Sequence, residues 1–140
     1  MTKIDFYRYA PDKLRFACRL AALAFERNKR VVIYAPDAAL RTEFDRLLWT
    51  FQSTKFVPHC IAGADVEADT PVVIAGDGYE PPHHEVLLNL GADKPPWFAS
   101  FDRLLEVVGS DDPDKARARE RYSFYKKRGY EIQVNDIPEA

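Results

Sequence analysis

The 140-residue sequence carries 22 acidic and 20 basic side chains, two cysteines and 46% hydrophobic residues. That length suits one domain over residues 1–140 with a core large enough to need no staple. The ordinary apolar content and mixed charge exclude a disordered chain. A net charge of −2 argues against a protein that coats nucleic acid on its own. The longest apolar runs fall far below the roughly 20 residues of a membrane span. An acidic residue, Asp5, stands where a signal peptide would begin its apolar core. The expectation is a soluble cytoplasmic protein with no membrane contact.

The first half alternates strand and helix. Residues 3–9 predict a strand with Ile4 and Phe6 on one face and Tyr7 and Tyr9 towards the other. Pro11-Asp12 opens a helix in which Leu14, Ala17, Cys18, Ala21, Ala24 and Phe25 follow the i, i+3, i+4, i+7 rule. Phe16, Leu20 and Leu23 widen that face and predict deep packing. Val31-Val32-Ile33-Tyr34-Ala35 is an unbroken β-branched run, as in strands buried on both faces of a parallel sheet. Asp37 caps a second helix carrying Leu40, Phe44, Leu47, Leu48 and Phe51. Residues 56–61 contain Pro58 and therefore predict an edge or irregular piece.

The second half is less regular. Residues 70–75 predict a strand, followed by a Gly76-Asp77-Gly78 loop. The segment 76–96 holds two proline pairs and predicts mostly loop around a strand at 85–90. Residues 101–108 fit a strand better than a short helix. Ser110-Asp111-Asp112-Pro113 starts a helix running to Arg128 and ending at Gly129. Residues 130–134 predict a last strand, and 135–140 a loose tail. This order implies an α/β, Rossmann-like, mostly parallel sheet with helices on both faces.

Such a sheet often binds nucleotides, but Tyr9-Ala10-Pro11-Asp12 contains no glycine where a phosphate-binding turn needs it. The reading therefore includes no nucleotide-binding glycine motif and no cofactor. His83-His84 lacks the helical spacing that brings two imidazoles to one metal ion, so both are read as solvated loop residues. Cys18 and Cys60 are read as buried reduced thiols. His59 and Cys60, adjacent on an extended segment, point to opposite faces and do not readily form a catalytic pair.

Two features stand out. Between Lys115 and Arg128 lie seven basic residues and one acid, a local excess of six positive charges. Lys115, Arg119, Tyr122 and Lys126 recur at i, i+4, i+7 and i+11, which places three cations and a ring on one helix face. Such a face suits an acidic peptide with an apolar end; a solvated helix or a nucleic-acid phosphate site are the competing readings. Trp49 falls at the edge of its helix's apolar stripe, where it serves either as a core corner or as an exposed partner anchor.

The motifs Ile4-Asp5-Phe6-Tyr7, Leu47-Leu48-Trp49, Phe56-Val57-Pro58-His59 with Ala62-Gly63, and Ala118-Arg119-Glu120-Arg121-Tyr122 with Tyr125 and Gly129-Tyr130 run in one order along the chain. Together they resemble the chi subunit of the bacterial DNA polymerase III holoenzyme. The resemblance implies a Rossmann-like domain without nucleotide and a non-catalytic accessory subunit of the clamp-loader assembly. It also implies two partners: the psi subunit, and the acidic C-terminal tail of single-stranded DNA-binding protein, which ends in proline and phenylalanine. DNA would be met only indirectly. By position, the tail site falls on Lys115, Arg119, Tyr122, Ser123 and Ile132. Ser123 stands where the family often has a basic residue. The psi surface falls on Trp49 and Phe56. Two alternatives stay open: a chi-like adaptor for a repair helicase, and a small α/β enzyme using His59, Cys60 or the His83-His84 pair. Asp136-Ile137-Pro138 faintly resembles the tail ligand but lacks its terminal phenylalanine.

Overall fold

The structure is a computed structural model that describes residues 1–52, 56–64 and 70–137. Its elements are β1 (Lys3–Ala10), α1 (Lys13–Glu26), β2 (Val31–Tyr34), α2 (Ala38–Thr50), β3 (His59–Ile61), β4 (Val72–Ala75), β5 (Val86–Asn89), β6 (Arg103–Gly109), α3 (Asp112–Lys127) and β7 (Glu131–Asp136). The strands form one sheet in the order β3-β4-β2-β5-β6-β1-β7. Every pairing is parallel, which makes this an α/β fold with the Rossmann-like character that the element order implies.

The sequence pattern follows from which faces are covered. Strands β2, β4 and β5 are buried at all positions, because helices cover the sheet on both sides. On one side α1 and α2 pack Leu20, Phe44, Leu48 and Phe51 against Val31, Ile33, Ile74 and Leu88. On the other, Ala118 and Tyr125 of α3 pack against Ile4, Phe6 and Leu104. The proline-bearing run 56–61 supplies β3, an edge strand paired with β4. Its proline precedes the ladder, where a missing N–H does no harm. Of residues 101–108, expected as strand, 103–108 form strand within β6, and 101–102 are a bend before it.

Three expectations are corrected. Asn135 and Asp136, assigned to a loose tail, extend β7 opposite Tyr7 and Arg8. The neighbouring β1 continues past Tyr7 and offers them ladder partners; Pro138 lies outside the described residues. Leu23 is 42% exposed rather than deeply packed. It sits on the shoulder of α1, beside a cleft that Tyr7 and Arg103 also line. His83 is buried rather than solvated, and that burial holds its imidazole pKa below the ordinary value, with Arg30 adding to the effect. His84 is exposed and packs on Phe101.

The basic helix is not basic on its outside alone. Arg121, one of its seven basic residues, is 3% exposed and faces the sheet. Its Nε donates to Oε1 of Glu106 at 3.0 Å, and its Nη1 donates to the Ala92 carbonyl at 2.9 Å. Glu106 lies fully buried on β6. It also accepts from the Tyr125 hydroxyl at 2.6 Å and from the Asn89 amide at 3.1 Å. Burial pushes the Glu106 carboxyl pKa up, and Arg121, Tyr125 and Asn89 work against that push. A buried carboxylate is tolerable only because these donors replace water. Glu106→Ala strands the Arg121 guanidinium and is expected to cost about 3–5 kcal/mol in urea unfolding. The apolar pair Glu106→Leu with Arg121→Met is expected to lose less than the single change, because it leaves no orphaned charge.

Candidate functional site

A groove of about 500 Å³ opens where the C-terminal ends of β1 and β6 meet the first three turns of α3. Its helix wall is Lys115, Ala118, Arg119 and Tyr122; its floor is Phe6, Val108 and Val134; Arg8 and Tyr9 close its end. Three of the residues expected at a tail site, Lys115, Arg119 and Tyr122, therefore meet in one concavity. The other two do not line it. Ser123 is exposed on the next flank of α3, beside Lys127. Ile132 is partly buried against the core on that side of the sheet, two residues before Val134, which does line the groove.

Each wall has a local cause. Asp111 caps α3 by accepting from the Asp114 N–H. Asp114 then accepts from the Gly109 N–H at 2.7 Å and from the Lys13 ammonium at 2.9 Å. These bonds tie the start of α3 to the end of β6 and to α1. Tyr122 packs edge-on against Phe6, with centroids 5.6 Å apart. This contact presents its ring as the apolar end of a basic slot.

The end wall was not foreseen from sequence. Tyr9 was expected to lie with Tyr7 on the opposite face. It adopts φ +65°, and the register of β1 against β6 shifts between Tyr7 and Ala10. The left-handed residue breaks the alternation and turns the ring to the groove, at a cost on the order of 1–2 kcal/mol. Cations gather around that ring: the Arg8 guanidinium lies 5.1 Å and the Lys115 ammonium 5.9 Å from its centroid. Arg8 shares a face with Ile4 and Phe6, a placement that the alternation of β1 does carry. It forms a two-pronged pair with Asp136, Nε to Oδ1 at 2.7 Å and Nη2 to Oδ2 at 3.1 Å.

Trp49 and Phe56 lie elsewhere. They are 53% and 65% exposed, with ring centroids 5.7 Å apart. Trp49 also packs against His59, with the rings tilted and their centroids 4.5 Å apart. His59 is buried, with Nδ1 2.6 Å from the Val57 carbonyl and Nε2 3.1 Å from the Asp45 carbonyl. The contact with Asp45 ties β3 to α2, and the imidazole lies against Trp49. Cys60 is buried and reduced, as is Cys18, whose thiol is pushed up to about 12 by burial. At the C-terminal ends of β2 and β4, where doubly wound sheets often hold phosphate, Arg41 fills the space above Gly76. It donates to the Ala35 and Pro36 carbonyls. Among the described residues no cluster of three or more His, Cys, Asp or Glu could hold a metal ion. No helix there is long and apolar enough to cross a membrane.

The family model for the DNA polymerase III chi subunit, HolC, matches residues 1–133. This chain belongs to the chi subunit family. It is 36% identical to the DNA polymerase III subunit chi of Pseudomonas aeruginosa, over 99% of both chains. It is 31% identical to that of Haemophilus influenzae, over 86% of this chain and 85% of the relative. The Escherichia coli subunit is 29% identical over 86% and 82%. A crystal structure of T4 UvsW superposes with a TM-score of 0.70 at 7% identity, covering 97% of this chain and 41% of that one. That likeness concerns the fold alone. Family membership makes the chain an accessory subunit of DNA polymerase III, active in DNA replication and not itself the catalyst.

The hold of Asp114 on the groove can be tested by pH. Burial alone raises its carboxyl pKa, but the Gly109 N–H and the Lys13 ammonium outweigh burial and leave it below its ordinary 3.8. A carboxyl depressed on folding contributes stability above its unfolded pKa and loses it as pH falls through the folded value. Asp114→Asn is expected to cost about 1–2 kcal/mol at neutral pH. Wild type and variant urea midpoints should converge as pH falls from about 4 towards about 2.

Proposed function

We propose that this chi-family chain is a single chi-like domain that acts as a cytoplasmic adaptor in the clamp-loader assembly. In this reading it binds the acidic C-terminal tail of single-stranded DNA-binding protein in the groove beside α3, and the psi subunit on the Trp49–Phe56 surface. The observation that carries the first half is the meeting of Lys115, Arg119 and Tyr122 around one concavity with an apolar floor. Guanidinium and ammonium groups complement a run of carboxylates. Tyr122, Val134 and Phe6 offer an apolar seat for a terminal phenylalanine.

The second half is supported by exposure. Two large aromatic side chains packed on each other but open to solvent form an anchor of the kind that dominates partner interfaces. The two surfaces lie towards opposite edges of a seven-stranded sheet. At about 4.8 Å per strand they stand roughly 25–30 Å apart, far enough for both partners to bind at once. DNA itself is met through those partners, in keeping with the net negative charge of the chain.

Titration calorimetry with a synthetic acidic peptide ending in Pro-Phe tests the groove. Arg119→Ala and Tyr122→Ala are each expected to weaken binding by about 1–2 kcal/mol, roughly five- to thirtyfold in Kd. Trp49→Ala should leave it unchanged, and affinity should fall as salt rises. A salt-independent affinity, or equal loss in all three variants, would refute the reading. Trp49→Ala and Phe56→Ala should instead weaken psi capture in a pull-down without altering peptide affinity.

A further inference from the structure

Arg8 has a free-standing position in the groove wall and an internal partner. It shares the groove with Lys115 and Arg119, yet its guanidinium is already forked onto the Asp136 carboxylate of the edge strand β7. We propose that Arg8 is a third anion-binding cation of the groove, and that Asp136 is its intramolecular placeholder, displaced when the carboxylate of an acidic peptide arrives. This rests on the groove's being a peptide site.

Four observations carry it. Both side chains are about half exposed, Arg8 at 45% and Asp136 at 56%, so the pair can open without disturbing the core. The backbone beneath it is independently fixed, because the Ile137 N–H donates to the Arg8 carbonyl at 3.0 Å. Exchange therefore needs only rotation of side chains. The fork geometry that Asp136 satisfies is the one a peptide carboxylate would offer, so one partner substitutes for the other with no change in bond type. Finally, Arg8 sits against the Tyr9 ring, held by the left-handed turn, which keeps its guanidinium at the mouth of the groove when Asp136 leaves. The pairing also holds the Asp136 carboxyl below its ordinary pKa, so it stays charged and competes across the neutral range.

The test is a double-mutant cycle in the full chain, read by calorimetric titration with an acidic peptide ending in phenylalanine. Asp136→Asn frees Arg8 and is expected to tighten binding about two- to fivefold, the range of an exposed ion pair. Arg8→Ala is expected to weaken it by a similar factor. In the Arg8→Ala background, Asp136→Asn should change nothing. A gain that persists there would mean that Asp136 repels the peptide through space, and would overturn the placeholder role. No gain in Asp136→Asn alone would overturn it as well. Arg119→Ala distinguishes the levels of failure. If Arg119→Ala weakens the peptide while Asp136→Asn does not tighten it, this proposal falls and the groove remains a peptide site. If wild type does not bind the peptide, or binds it regardless of Arg119, both fall together.

Discussion

The buried pair between Glu106 and Arg121 sets the geometry on which the groove depends. A carboxylate with no exposure on β6 must find cations and donors within the core, and α3 delivers them through Arg121 and Tyr125. That requirement fixes the rotation of the helix about its axis. With Ala118, Arg121 and Tyr125 turned to the sheet, residues advance by about 100° each, so Lys115, Arg119 and Tyr122 fall on a stripe about 90° round the helix. This stripe overlooks the ends of β1 and β7. Phe124 falls on the opposite shoulder, between the Lys94 ammonium and the Arg128 guanidinium. The basic helix is thus not uniformly basic. One cation is spent inside, and the others divide into two flanks whose directions follow from it.

Much of this was legible in the sequence where the signal is local and periodic. Unbroken runs such as 31–35 mark strands covered on both faces, and Pro58 marks the sheet edge. Spacing alone collected Lys115, Arg119 and Tyr122. What failed to show was anything decided by a distant residue. Nothing about Arg121 distinguishes it from Arg119 until Glu106 is placed opposite it, and these lie 15 residues apart on different elements. Tyr9 was misassigned because a single left-handed residue reverses strand alternation, and no glycine or asparagine advertises the turn. Asp136 was assigned to a tail because its ladder partner, Arg8, lies at the other end of the chain. Ser123 and Ile132 came from resemblance by position, and position along a helix or strand does not by itself establish which residues share a cavity.

The same local logic explains how an exposed aromatic patch and a basic groove can stand apart on so small a protein. The crossover helices α1 and α2 cover one face of the sheet and α3 the other. An aromatic left over at the end of α2 therefore emerges far from a cation left over on α3. Each patch is also held by its own short-range bonds, His59 to the α2 backbone and Asp114 to Gly109 and Lys13. Neither requires the other to form. In the proposed adaptor role, two weak contacts arranged this way would act through effective concentration rather than through a shared conformational change. The sheet between the two patches would then fix their separation.

Two arginine–carboxylate pairs in one protein show why the chemistry of a contact does not by itself decide its role. Glu106–Arg121 and Asp136–Arg8 have similar donor–acceptor distances, 3.0 Å and 2.7 Å. The first is sealed, and its partners have no access to water, so separating them would leave a bare charge in a medium that cannot solvate it. It is therefore permanent, and the fold is organised around it. The second stands in solvent, where water compensates each partner on separation and little is gained by holding on. A pair of that kind adds little to the fold but can be exchanged for a competing carboxylate with little penalty. The position of each pair relative to the surface thus gives Arg121 to the architecture beneath α3 and leaves Arg8, at the end of the groove, exchangeable in the way the proposal requires.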